Sequence, residues 1–291
     1  MYAVILLSLL IENVILIDGT GRPPREGVTL VVEADRIVSI VSSPPPDVTG
    51  TRIDGQGKWA IPGLMDMHVH LRGGLTALHG YLYCGVTSIY DAGNDPDVIF
   101  PLREKERRGE IVSPRIFATG AIVTAPGGHG GEGAVGIEDF ARDRGKLDEH
   151  IAKAPDLIKI TQDEHGWGTR PMIRYLPAGL LEEIVRYYHE SGIRTTIHVS
   201  NEIRAWEAVY AGIDTLAHPV IQGPVSDRYL NMMKVKKIPQ VSTLTIGEGY
   251  SRLVDHPEFL DEPLYRATLS RQQIERLRGQ TRKEWEARRW T

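Results

Sequence analysis

Cysteine is nearly absent: Cys84 is the only one in 291 residues. A lone thiol excludes a disulfide scaffold and a metal site built from cysteines. Charge of one sign is lacking as well. Lys and Arg number 34 against 38 Asp and Glu, a net charge of −4. That balance gives no broad attraction for nucleic acid or an anionic membrane, so neither is expected as a partner. Long apolar runs are also missing. The first ten residues, MYAVILLSLL, reach about half the roughly 20 residues a bilayer span needs. They lack a basic leader and a small-residue cleavage site. They read as an N-terminal strand or extended start of a cytoplasmic protein, with an export signal as the alternative. Hydrophobic residues make up 41% of the chain, which excludes extended disorder. No repeat of 20–50 residues is visible. With cysteine set aside, the ten histidines become the residues to inspect for metal.

The chain divides by rhythm. Residues 1–58 read as a small β module. Apolar runs at 13–17, 28–32 and 36–41 are punctuated by Asp18-Gly19 and by a hairpin turn at Glu33-Ala34-Asp35. Residues 42–50, with three consecutive prolines from Pro44, read as a loop. A fourth short run stops at Asp54-Gly55. From residue 59 to 291, apolar strand candidates alternate with helix-like stretches, the pattern of repeated βα units around a parallel sheet. The candidates lie at 60–70, 87–91, 115–119, 157–161, 195–198, 215–218 and 239–243. Residues 179–191 carry Leu180, Leu181, Ile184, Val185 and Tyr188 at helical spacing. Seven strands fall one short of a closed (β/α)8 barrel. Residues 262–291 form a basic helix-like run with eight Arg/Lys against four acids, read as a solvated face. The expectation is a chain that stops before its eighth strand. An unclosed edge of that kind points to self-association, as a homo-oligomer, or to poor solubility.

The strongest local signal is Asp66-Met67-His68-Val69-His70. Side chains two apart on a strand share a face, so His68 and His70 can aim at one ion. His198 closes the strand candidate at 195–198, and His218 the one at 215–218. In a barrel, the carboxyl ends of the strands face the active site. Lys159 sits in the apolar run Leu157-Ile158-Lys159-Ile160, where an unpaired ammonium is costly. It is either paired with an acid such as Asp91 or Asp163, or converted by CO2 into a carbamate that ligates metal.

Three segments carry a family resemblance: the run from Asn13 to Gly19 (NVILIDG), that from Gly57 to Leu71 (GKWAIPGLMDMHVHL), and that from Gly85 to Gly93 (GVTSIYDAG). The chain resembles the amidohydrolase superfamily of metal-dependent hydrolases, and within it the imidazolonepropionase-like and prolidase-like branch. The resemblance extends over nearly the whole chain, and its I-P-G-x-x-D-x-H-x-H run is highly specific. It implies a (β/α)8 barrel with a small β-sandwich built from both chain ends. It also implies one or two divalent ions, usually zinc, although such ligands suit manganese and iron too. His68 and His70 match the first-strand ligands, Lys159 the carboxylated bridging lysine, and His198 and His218 the ligands on strands five and six. Lys159 and His218 are thereby candidate catalytic residues. Gly127-Gly128-His129-Gly130 resembles a glycine-rich loop whose histidine approaches substrate; the alternative for His129 is a plain loop residue. Tyr90 and Asp91 read as packing and supporting groups.

The resemblance implies hydrolysis of an amide-like C–N bond in a small molecule such as a dipeptide, an N-acyl amino acid or a cyclic amide. Two departures stand against it. Relatives often carry Glu-His-Gly where this chain has Ala217-His218-Pro219. The eighth-strand aspartate that relays a proton has no counterpart here, Asp255 and Asp261 standing in a different context. The barrel and the sandwich are therefore both expected to be incomplete, and the chain as given to be nearly inactive. Alternatives are a non-catalytic barrel protein and another metal reaction, such as deamination, on the same scaffold.

Overall fold

The structure, a computed structural model, describes residues 8–43, 49–131, 133–164 and 172–287. The first seven residues and the prolines from Pro44 lie outside the described residues. The chain forms two compact units, divided between Gly63 and Leu64.

The first unit holds β1 (Ser8–Leu16), β2 (Arg25–Glu33), β3 (Arg36–Val41), β4 (Gly50–Asp54) and β5 (Trp59–Ala60). They make one mixed sheet in the order β3-β2-β1-β4, with β5 also on β1. The hairpin of β2 and β3 turns at Ala34, as the sequence suggests. The register of β1 against β2 breaks between Ile11 and Val14. Asn13 takes a left-handed conformation there, φ 59°, which asparagine tolerates better than most residues. Its amide donates to Asp54 at 3.0 Å. Val14, Leu16, Val28 and Leu30 form the small core.

The second unit alternates strands and helices. It opens with β6 (Leu64–Val69), α1 (Gly74–Tyr83), β7 (Val86–Asp91), α2 (Pro96–Arg107) and β8 (Arg115–Ala118). Two short strands follow, β9 (Val123–Thr124) and β10 (Val135–Gly136), and then α3 (Phe140–Ala152). The series resumes with β11 (Ile158–Thr161), α4 (Ala178–Glu190), β12 (Thr195–His198), α5 (Glu202–Tyr210), β13 (Thr215–Leu216) and α6 (Asp227–Lys236). Helices α7 (Leu244–Asp255), α8 (Pro263–Thr268), α9 (Arg271–Arg276) and α10 (Arg282–Ala287) complete it. All strand pairs of this unit are parallel, in the orders β6-β7-β8 and β10-β9-β11-β12-β13. Beyond the end of β8, Asp156 donates its N–H to Ala118, and the Thr119 hydroxyl accepts from the N–H of Lys159. This is the mixed α/β architecture with parallel sheets that the sequence rhythm points to.

Two strand candidates differ from expectation. Residues 60–70 divide into β5 and β6 around Pro62-Gly63, since proline cannot donate to a ladder. Residues 239–243 contribute a single bridge, Leu216 to Gln240, before Thr243 opens α7. β9 and β10, two residues each, are too short to leave a periodic pattern. Among the described residues, no helix is long and apolar enough to cross a membrane.

Helix starts are marked by side-chain caps: Asp95, Asp139, Asn201 and Ser226 each accept an N–H from the first turn. α4 buries the five residues that its periodicity singles out. They pack with Ile158, Ile160, Ile197 and Leu216 of the sheet in one core.

That core holds a polar node. His150 of α3 is buried, with Nε2 2.7 Å from the Thr119 carbonyl and Nδ1 2.9 Å from the Tyr188 hydroxyl. A carbonyl only accepts, so Nε2–H donates to it and Nδ1 accepts from Tyr188. A second proton has no acceptor there, and burial lowers the pKa of this imidazole from its ordinary 6.5. The unfolded chain therefore binds the proton first as pH falls, and His150 lowers stability below about pH 6.5. Urea unfolding across pH 5 to 7 should show stability falling toward acid. That fall should be smaller in His150→Gln by up to about 1.4 kcal/mol per pH unit, one proton's share.

Candidate active site

His68 lies near the end of β6 and His70 just past it, so strand alternation turns both toward the same side. The His68 Nδ1 is 3.1 Å from the Ala217 carbonyl and the His70 Nδ1 is 2.8 Å from the Gly93 carbonyl. Each Nδ1 must carry the proton, which leaves each Nε2 as a lone-pair donor. The backbone approaches closely here. A Cβ on Gly93 would sit 2.6 Å from Ile122 and 3.1 Å from the His70 ring, so only glycine fits.

Lys159 of β11 is buried, and its Nζ lies 3.2 Å from His68 Nε2. Burial pushes its pKa down to about 7. Both acids that the sequence offers as partners hold other groups: Asp91 accepts from Leu71 and Asn94, and Asp163 from His198 and Ser200. His198 closes β12, and His218 lies just beyond β13. Ring centroids are 4.4 Å apart for His68 and His218, 4.6 Å for His198 and His218, and 5.4 Å for His68 and His70. Thus His68, His70, Lys159, His198 and His218, spread over 151 positions (68 to 218), are brought to one place. Burial, and then the Lys159 charge, push His68 down to about 2. Burial takes His198 to about 4 and, with Lys159 and His198 beside it, puts His218 far below the ordinary imidazole range. These imidazoles are neutral at pH 7.

The loop from β9 to β10 brings in His129. A Cβ on Gly128 would meet Thr124 Oγ1 at 2.5 Å and two carbonyl oxygens at 2.8 Å, so glycine is required for the loop to pass this close. The Thr161 hydroxyl donates to the His129 carbonyl. The His129 ring stands 4.3 Å from that of His198.

One site residue entered the sequence reading only as a possible partner of Lys159. Asp163, fully buried, lies 2.9 Å from His198 Nε2 and accepts from the Ser200 hydroxyl at 2.6 Å. Burial opposes its charge, but the His129 and His198 rings and Ser200 hold its pKa well below the usual carboxylate range. A signal existed in the alternation Lys159, Thr161, Asp163 on one strand and His198, Ser200 on the next, but it runs past both strand ends. Asp255 and Asp261 lie away in α7 and the short helical turn after it, Asp261 pairing with Arg266 and Arg278.

Asp91 anchors the edge of the site. Its carboxylate accepts from Leu71 N–H at 2.8 Å, Gly93 N–H at 3.0 Å and Asn94 Nδ2 at 2.9 Å. It thus fixes the Gly93 carbonyl that holds His70. Asp91→Ala leaves the buried Leu71 N–H without its acceptor, at about 1–3 kcal/mol. It also removes one from the part-buried Gly93 N–H and Asn94 amide, the latter keeping the Leu71 carbonyl. Urea unfolding should show a loss of about 1–3 kcal/mol, and an unchanged stability would contradict this role.

Comparison with family models and with curated proteins gives no match. Solved structures do match. A prolidase complexed with N-methylphosphonate-L-proline has 22% identity and a TM-score of 0.71, the match covering 96% of this chain and 75% of that one. For a Xaa-Pro dipeptidase with bound methionine the figures are 19%, 0.72, 98% and 78%. For an amidohydrolase they are 20%, 0.71, 96% and 76%. On this likeness, the chain has the fold shared by solved prolidase, Xaa-Pro dipeptidase and amidohydrolase structures.

Proposed function

We propose that the protein is an amidohydrolase of the prolidase-like and imidazolonepropionase-like branch, hydrolysing an amide-like C–N bond with the help of one or two divalent ions. In this reading the parallel strands are staves of a (β/α)8-type barrel, residues 59–291, and the N-terminal sheet, residues 1–58, is one layer of a small β-sandwich. The observation that carries the proposal is the convergence of four imidazoles and one buried amine at strand ends.

The donor chemistry fits a zinc-like ion. His68 and His70 keep their Nε2 lone pairs directed by carbonyl bonds on Nδ1, and neutral imidazole is the ligating form. The Lys159 amine is partly unprotonated at neutral pH. As a free amine it adds to CO2 with loss of one proton, which replaces a buried cation by an anionic oxygen donor. His68, His70, His198, His218 and the carbamate of Lys159 would hold the metal. When bound, the metal polarises the substrate carbonyl and acidifies water. His218, whose Nδ1 lies 2.9 Å from the Thr243 hydroxyl, ligates through its other nitrogen and orients the substrate. The small-molecule substrate is a dipeptide, an N-acyl amino acid or a cyclic amide. The prolidase and dipeptidase among the similar structures favour the first.

Protein purified without chelators should carry roughly one to two equivalents of divalent metal by elemental analysis. Its turnover of a panel of Xaa-Pro dipeptides and N-acyl amino acids should be low, as expected without the eighth-strand aspartate, and what there is should be lost to a chelator. His68→Asn and His218→Asn should each lower the metal content. A chain that takes up no zinc, manganese or cobalt, with an unmodified Lys159 by mass spectrometry, would instead be a non-catalytic barrel protein.

A further inference from the structure

We propose that His129, Asp163 and His198 form a cation seat of their own beside the cluster of His68, His70 and His218, with Asp163 as its carboxylate donor. The inference deepens the reading above and rests on it for the chemistry that the ion would serve.

The three residues each turn one donor atom to a common point, and these atoms all lie within 4.8 Å of one another. Asp163 Oδ2 is 2.9 Å from His198 Nε2 and 3.5 Å from His129 Nδ1. A tetrahedral ion with donors at about 2.1 Å sets them roughly 3.4 Å apart. The Asp163–His129 pair already has that spacing, and the Asp163–His198 pair has to open by about half an ångström. His129 Nδ1 is buried and has no hydrogen-bond partner among the described residues. The Asp163 carboxylate at 3.5 Å is long for a hydrogen bond, and a cation held between the two would satisfy both.

The surroundings support the same assignment. Ser200 Oγ donates to Asp163 Oδ1 at 2.6 Å, which fixes the other oxygen toward the two rings, as supporting hydrogen bonds orient metal ligands. The Thr161 hydroxyl anchors the His129 backbone from below. Asp163 and His198 are almost wholly buried, whereas the His129 side chain is 28% exposed, leaving an open side for a water or substrate atom as fourth ligand. Two nitrogens and one carboxylate suit zinc, cobalt, manganese or iron. On this assignment His129 is a ligand, where the sequence suggests a substrate contact, and the lone pair of His198 serves this seat in place of the cluster of His68, His70 and His218.

The test is titration of chelator-stripped protein with cobalt(II), read by calorimetry and by the visible absorption of the bound ion. Wild type is compared with Asp163→Asn, His129→Gln and His68→Asn. Asp163→Asn and His129→Gln should each weaken one class of cobalt site by at least about tenfold and change its absorption band. His68→Asn should leave that class in place. Unaltered stoichiometry, affinity and spectrum in both Asp163→Asn and His129→Gln overturn the proposal. If Asp163→Asn fails to fold by circular dichroism, His129→Gln, on a part-exposed loop residue, decides alone. A raised KM with unchanged cobalt binding in His129→Gln returns that residue to substrate contact and also overturns the seat. The two readings fail separately. Cobalt bound at this seat without hydrolysis of any panel substrate sinks the hydrolase reading only. Metal-dependent hydrolysis with cobalt binding indifferent to Asp163 and His129 sinks the seat only.

Discussion

Six basic side chains and one carboxylate are crowded together, with Lys159, His198 and Asp163 buried and the other four partly exposed or exposed at the rim. Everything else about the site follows from the desolvation that this crowding imposes. A charged imidazole or ammonium loses hydration there, so His68, His70, His198 and His218 shed protons and the Lys159 amine falls toward neutrality. The result is a concentration of lone pairs held at short range. A protein that merely needed stability would fill such a place with apolar groups. Retaining lone pairs there makes sense only where something electron-poor is to be held.

The fold makes this possible by separating rigidity from chemistry. Ile158, Ile160, Ile197 and Leu216 lock the strands onto α4 and its neighbours, while the polar residues lie at or just past the strand ends. Hydrogen bonds to backbone or hydroxyl help turn the rings: His68 to Ala217, His70 to Gly93, His218 to Thr243. Ala217 and Gly93 lie just past β13 and β7, and Thr243 stands at the start of α7, so each ring is oriented by a segment other than the one that carries it. Asp91 stands one step further out, bonding three donors to hold the Gly93 turn in place.

The site is also graded in exposure. Lys159, Asp163 and His198 are buried, His68, His129 and His218 are partly exposed and His70 is exposed, so the buried donors lie behind the open ones.

Much of this was legible in the residues alone because it rests on local periodicity. Alternation on a strand puts His68 and His70 on one side. Helical spacing identifies the buried face of α4. A lysine inside Leu157-Ile158-Lys159-Ile160 announces a buried amine without any coordinates. Tertiary structure alone decided the partners. That Lys159 meets His68 and not an acid, that Asp163 faces His198 and His129, and that residues 239–243 give only a bridge all depend on packing between segments far apart in the chain. Local pattern dictates where a side chain points along its own strand. Which other side chain it finds there is set by the way strands and loops close around a shared core, and no short stretch of sequence carries that information.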